Sequence, residues 1–371
     1  PIEDLNGRIR IDEQGIDFQK MQGVVAGFPV SFEGRWLFDQ RPHLHYDLTA
    51  PNLDITQLLE HIDPETTEIY GKLRAQGQVK LKRGRFESFE FRNLSSAVDL
   101  DRRVWRLTNF SAEAAGGSVR GTAAIADKPN TLGVSLAPKI QGVPVQSFLG
   151  WFDIETSEMT GKVNLTGNVE TPGKAGAERK KNLHGRLNLR VENGTLHRLR
   201  ILVQILNLLD LSRWFTFQLP DLEKQGIRFR AITGDFQIKN GVYITENLLV
   251  DSDDLRMTGA GKIDVPKNNI DFVVAVRPFA GIDTVINYIP LIGRSIAAIK
   301  NSFMVASFNI KGPIDDPAIT PAPLSTLSEV LLSVLGIPKN ILGFGGEQSK
   351  GQPMKESPKG DGEDNAPHPS Q

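Results

Sequence analysis

The chain has no cysteine, which excludes disulfides, zinc fingers and thiol catalysis. It has no excess of charge either: 43 Lys plus Arg stand against 44 Asp plus Glu, a net charge of −1. A nucleic-acid binder carries a basic footprint, so that class of partner is not expected. No run reaches the roughly 18 to 20 apolar residues that cross a bilayer as a helix. No secretory leader is legible at residue 1, and the chain starts at Pro1 and not Met. These 371 residues are therefore expected to be a piece of a longer protein, with any membrane anchor upstream.

Catalytic signatures are also missing. Neither G-x-S-x-G nor H-E-x-x-H occurs. The six histidines are His43, His45, His61, His184, His197 and His368. His43 and His45 form an H-x-H pair without a third ligand in view, and read as exposed strand histidines. The run Met257 to Lys262 resembles a phosphate loop only superficially: its spacing is wrong and it lies in an alternating strand. Its glycines mark a bulge or a close backbone approach. Asp251, Asp253 and Asp254 lack the closing glutamate of a calcium loop and read as an acidic turn. No catalytic residue, metal or cofactor is expected, and the chain is not read as an enzyme.

What the sequence does have is a period of two. From Lys72 to Lys82, Leu73, Ala75, Gly77, Val79 and Leu81 alternate with lysine, arginine and glutamine. Successive side chains of a strand point to opposite faces, so one face is apolar and the other charged. Phe28, Val30, Phe32, Trp36 and Phe38 repeat the pattern. So do Val163, Leu165, Gly167 and Val169, and Leu187, Leu189 and Val191. Met257, Gly259, Gly261, Ile263 and Val265, then Ile270, Phe272, Val274 and Val276, complete the series. Asn193-Gly194 and Asn240-Gly241 are hairpin signals, because a type I′ turn needs two residues tolerant of positive φ. Arg41-Pro42, Arg83-Gly84 and Lys128-Pro129 mark further connections. Clean alternation joined by hairpins predicts antiparallel sheet with one solvated face.

The chain also repeats. Gly34, Pro42, Ala50 and Pro51 match Gly121, Pro129, Ala137 and Pro138, all at an offset of 87. Each copy runs into a short apolar helix, at Gln57-Leu58-Leu59 and at Gln146-Ser147-Phe148-Leu149, and a strand restarts at Gly71-Lys72 and Gly161-Lys162. Chance similarity of turn composition is the competing reading; so many aligned features favour a repeat that grows in one direction. Residues 197–213 form an amphipathic helix with a wide apolar face, followed by Trp214, Phe215 and Phe217. A second apolar zone spans 282–306, interrupted by Pro290. A third stripe joins Leu324, Leu327, Leu331, Val334 and Leu335, and 346–371 is polar and expected to be disordered. Such helices either close a hydrophobic core or lie in a bilayer interface.

One family resemblance emerges. Arg41-Pro42-His43-Leu44 leading to Ala50-Pro51-Asn52-Leu53-Asp54 and Leu58-Leu59 resembles the AsmA repeat. Leu189, Val191 and Asn193-Gly194, the leucine-rich helix, Gly234-Asp235-Phe236, Asn240-Gly241, Gly259 to Asp264, Ile289-Pro290-Leu291 and Lys311-Gly312-Pro313 follow in order. That series resembles the AsmA-like C-terminal region of YhdP-type proteins. The resemblance implies a mainly β fold: an elongated, twisted antiparallel sheet curled into an open groove, with a few short amphipathic helices. It implies a groove region over 1–320, in passes of about 5–70, 71–160 and 161–320, with helices near 197–213 and 282–303. An amphipathic segment at 321–345 and the tail at 346–371 follow. It further implies a periplasmic body anchored in the inner membrane of a Gram-negative-type envelope, carrying phospholipid toward the outer membrane, with no catalytic residues to transfer. A non-catalytic scaffold for outer-membrane assembly is the alternative.

On this reading the groove is lined by Phe28, Val30, Phe32, Trp36, Phe38, Leu73, Val79, Leu81, Val119, Ile125, Val163, Leu165 and Val169. Leu187, Leu189, Val191, Met257, Ile263, Val265, Ile270, Phe272, Val274 and Val276 continue it. Leu202, Leu206, Leu209, Trp214, Phe215, Ile289, Leu291 and Ile292 are the expected membrane contacts, the outer membrane being met at the C-terminal helices.

Overall fold

Period-two alternation becomes strand after strand. The computed structural model describes residues 2–38, 43–60, 74–101, 103–128, 131–152, 154, 158–173, 176–197, 226–253, 255–278, 305–328 and 331. They form one sheet of 17 strands that does not close into a barrel. The first five are β1 (Ile2–Asp12), β2 (Gly15–Val25), β3 (Phe28–Leu37), β4 (His43–Asp54) and β5 (Arg74–Phe86). Next come β6 (Phe89–Asp101), β7 (Val104–Ala114), β8 (Gly117–Lys128), β9 (Thr131–Pro144), β10 (Lys162–Pro172) and β11 (His184–Leu196). The last are β12 (Ile227–Lys239), β13 (Val242–Ser252), β14 (Leu255–Asp264), β15 (Asn269–Pro278), β16 (Ala306–Pro313) and β17 (Ala318–Ala322). Among the described residues three short helices interrupt them: α1 (Ile55–Glu60), α2 (Val145–Gly150) and α3 (Gly176–Lys181).

Each strand pairs with the next in sequence, and all pairs but one are antiparallel. The exception corrects the purely antiparallel expectation: β4 and β5 run parallel. A parallel neighbour needs a crossover and not a hairpin, and the chain leaves β4 through α1 before returning. α1 starts there because Asp54 caps it, its Oδ1 accepting the Gln57 N–H at 3.1 Å. The second strand–helix–strand passage, β9–α2–β10, returns antiparallel.

The strand ends form two long rims. The first carries α1, α2 and the departures at Leu196 and Pro278 toward 198–225 and 279–304. The second carries tight hairpins and α3. Asn240 and Gly241 sit there at φ of 50° and 71°, in the turn expected of them. Asn193-Gly194 does not turn; it lies within β11. Asn193 takes a φ of 52° as the extra residue of a bulge: Lys162 faces Glu192, but Met159 faces Leu196, one position out of step. The same left-handed tolerance serves two different ends. Arg83-Gly84 likewise lies inside β5, whose hairpin turns at Glu87 with a φ of 52°. Gly84 is needed because a Cβ there would meet the Phe91 ring at 2.3 Å.

Lys20, Asn93 and Asn109 repeat the bulge device, each in the left-handed region beside a register shift. Bulges bend a sheet and increase its twist. The curl is visible in one contact: Arg179 of α3 reaches Glu87, in the β5–β6 turn on the opposite rim, at 3.7 Å. A flat sheet would hold those points roughly 40 Å apart. On the polar face, ladders such as Asp12 and Asp17 with Arg35, Arg74 with Asp101 and Lys311 with Asp271 cross from strand to strand. They are partly exposed, so each contributes little and is screened by salt.

Candidate functional site

The other face carries apolar lanes running across the strands. One joins Ile11, Ile16, Trp36, Leu44, Ala75, Leu100, Trp105, Ile125 and Val134, directly paired from β1 to β9. A second joins Val143, Val163, Val191, Ile232, Val250, Met257, Val276 and Ala306, from β9 to β16. Cross-strand partners share a face, so every member of a lane lies on the same side of the sheet. No charged residue interrupts either lane.

Burial differs sharply between the two halves. Val163 is 0 % exposed and packs in one cluster with Val119, Leu165, Val191, Phe272, Val274 and Val276. Leu187, Leu189, Met257, Ile263 and Ile270 lean on that cluster, half-buried. Val169 pairs with Leu136 beside it and is half-buried too. In β1 to β5 the face is more open. Ile11 is 70 % exposed, and Ile9 and Leu5 are exposed beside it. Phe28, Val30, Phe32, Trp36 and Val79 are half-buried, as is Ile125 in β8. Phe32 lies between Phe18 and Tyr46, ring centres 5.6 and 6.4 Å away. Val30 and Val79 pack round the buried Leu81 with Ala50, Phe91 and Ala112.

Phe38 and Val265 depart from expectation. They lie past the ends of β3 and β14 and are 49 % and 43 % exposed. The alternation carries them onto the lane in sequence, but the strands stop first. Leu73 lies outside the described residues, as do all the expected membrane contacts, Leu202, Leu206, Leu209, Trp214, Phe215, Ile289, Leu291 and Ile292. So do the helices expected at 197–213, apart from His197, and at 282–303, and the tail 346–371. Of the 324–335 stripe, Leu327 and Leu331 are buried against Ala275 on the polar face of β15, with Leu324 beside them. Those three leucines face the sheet. Among the described residues no helix is long and apolar enough to cross a membrane.

Sequence reasoning missed Ile9 and Ile11 in β1, and an aromatic knot on the first rim. There Trp151 stands edge-on to Phe89 at 4.7 Å and to Phe148 at 5.7 Å. α2 is held in place by Gln146, whose Nε2 donates to the Met159 carbonyl at 2.8 Å. The alternation Phe89-Glu90-Phe91 was the available signal.

Polar chemistry is sparse on this face. Burial, with the Asp99 charge adding to it, pushes the Tyr46 phenol up to about 12. Its ring lies over Gly77, where a Cβ would come within 2.7 Å of it. Gly261 lies deep in β14, and a Cβ there would meet the Asp271 carbonyl at 2.3 Å, a close backbone approach and not a phosphate loop. His43 and His45 meet at 2.9 Å between their Nε2 atoms. Among the described residues no three potential ligands gather for a metal. Asp251 binds Arg230 and Arg256, which hold its carboxyl below the usual carboxylate range.

A long single sheet with an apolar inner face is what the AsmA-type resemblance implied. A profile of the YhdP protein family matches residues 93–319, more than half of the chain. The chain belongs to the YhdP family. It is 19 % identical over 272 residues to the intermembrane phospholipid transporter YhdP of Escherichia coli strain K12. That match covers 69 % of this chain and 22 % of the relative, so the chain spans under a quarter of that family member's length. No solved structure matches it.

Proposed function

We propose that this family member holds the acyl chains of phospholipid along its apolar lanes, as part of a periplasmic conduit between the inner and outer membranes. The observation that carries the reading is the unbroken lane from Ile11 to Val134 across nine strands of one sheet, open to solvent at its β1 end. Each lipid methylene taken from water contributes about 0.8 kcal/mol without directional demand, so a chain can move between equivalent positions on such a face. The name of the Escherichia coli relative supports the substrate class and the two-membrane setting. We propose no catalytic step.

Burial of the β9–β16 half favours a second role there: a packed core that carries the open half, as a scaffold does. The test is lipid extraction from the 371-residue chain purified without detergent, read by mass spectrometry. Phospholipid in stoichiometric amount is expected. Repeated preparations with none would leave only the scaffold reading.

A further inference from the structure

Beside the lane from Ile11 to Val134, a neighbouring lane of the same face runs from Ile9 through Phe18, Gly34, Tyr46 and Gly77 to Val98, directly paired from β1 to β6. Tyr46 is the one polar side chain in that series. Both of its strand partners are glycines, so no side chain stands directly opposite it on β3 or β5. The ring is nevertheless held: it lies over Gly77 and stacks on Phe32, ring centres 6.4 Å apart.

The Tyr46 hydroxyl makes no hydrogen bond among the described residues. Its side chain is half-buried, so the hydroxyl is reached from the groove. Ser96, on the same face opposite Val79, differs: its Oγ donates to the Ala97 carbonyl at 3.0 Å. Burial keeps the Tyr46 phenol protonated well above neutral pH, so it presents a donor. In an empty groove water accepts from it. Acyl chains that displace this water bring no acceptor, and a hydroxyl buried without one is destabilising. A lipid carries acceptors at one place in its apolar part, the ester carbonyls that join the chains to glycerol. Tyr46 is the fourth residue of β4. It therefore lies roughly 10 Å from the second rim, and a headgroup extending from esters at that depth has a short path to solvent.

We propose that Tyr46 sets the resting register of a diacyl lipid in the groove, its phenol donating to an ester carbonyl. The inference rests on the acyl-chain reading above and adds a fixed stop to an otherwise non-directional lane. The experiment measures binding to the whole chain of phosphatidylethanolamine with ester-linked chains and of its ether-linked counterpart, which keeps the headgroup and chain length but has no carbonyl. The wild type is expected to prefer the ester lipid by roughly fivefold, the worth of one neutral hydrogen bond. Tyr46→Phe removes only the hydroxyl and should bind the two equally. With isotope-labelled ester carbonyls, the infrared spectrum of the bound lipid should show a stretching band lowered by hydrogen bonding in the wild type and not in Tyr46→Phe. Tyr243 pairs with Ile263 on the same face in the packed half, and Tyr243→Phe should keep both the preference and the band. A preference absent from the wild type, kept in Tyr46→Phe, or lost in Tyr243→Phe overturns the assignment and leaves the groove standing. So does a lowered band that survives Tyr46→Phe. Binding of neither lipid overturns the groove reading itself. A free fatty acid bound as tightly as the ester lipid, and weakened as much by Tyr46→Phe, would mark a carboxyl site and overturn the proposal.

Discussion

At the scale of the residue, the two halves of the face predict opposite responses to one substitution. Val163 has no exposure, so Val163→Asp buries an unpaired charge and should cost more than about 4 kcal/mol, seen as loss of the cooperative unfolding transition. Val79 is half-buried between Leu48 and Ser96, so Val79→Asp should fold. It should weaken lipid binding by about 2 kcal/mol, roughly 30-fold, measured by lipid titration. Tyr46 gives a pH test. An unfolded tyrosine ionises near pH 10, while burial raises the folded phenol to about 12. Its stabilising contribution is therefore complete below about pH 10 and lost as pH climbs toward 12. Unfolding midpoints should fall over that window in the wild type, and less in Tyr46→Phe.

At the scale of the element, caps and bulges decide where the chain turns. Asp54 both caps α1 and holds Arg85, and its carboxyl titrates below the usual range, chiefly through the Gln57 N–H. That stabilisation is present above about pH 3.9 and fades as pH falls through the depressed value. Asp54→Ala should lower the thermal midpoint at neutral pH and flatten the acid limb of the profile. Asn193 shows what the dipeptide pattern leaves open. Asn-Gly specifies a left-handed backbone position, which a type I′ turn and a strand bulge both use. At 240–241 the flanking strands pair with each other; at 193–194 β12 stays paired alongside, and Met159 faces Leu196 on the other side. Asn193→Val should cost about 1 to 3 kcal/mol in a denaturant titration, and Asn193→Gly much less. An equal effect of both substitutions would falsify the bulge assignment.

At the scale of the whole molecule, curl turns a ribbon into a trough. The Glu87–Arg179 contact between opposite rims measures it. With no native cysteine, spin labels at Ser88→Cys and Lys180→Cys report one distance. It should be under about 25 Å, against roughly 40 Å in a flat sheet. Strand identity and the apolar and charged faces were legible in the sequence, because side-chain alternation is a local property of each strand. So were the turn at Asn240-Gly241 and the close approach at Gly261. Three things were decided only by the tertiary structure. The parallel pairing of β4 and β5 depends on where the chain returns after α1, not on either strand. The exposure difference between Val163 and Val79 depends on what packs over identical patterns. The turning of Arg83 and Arg92 onto the polar face, beside Gly84 and Phe91 on the apolar one, depends on the bulge at Asn93 and on register across β5 and β6, which no single segment encodes.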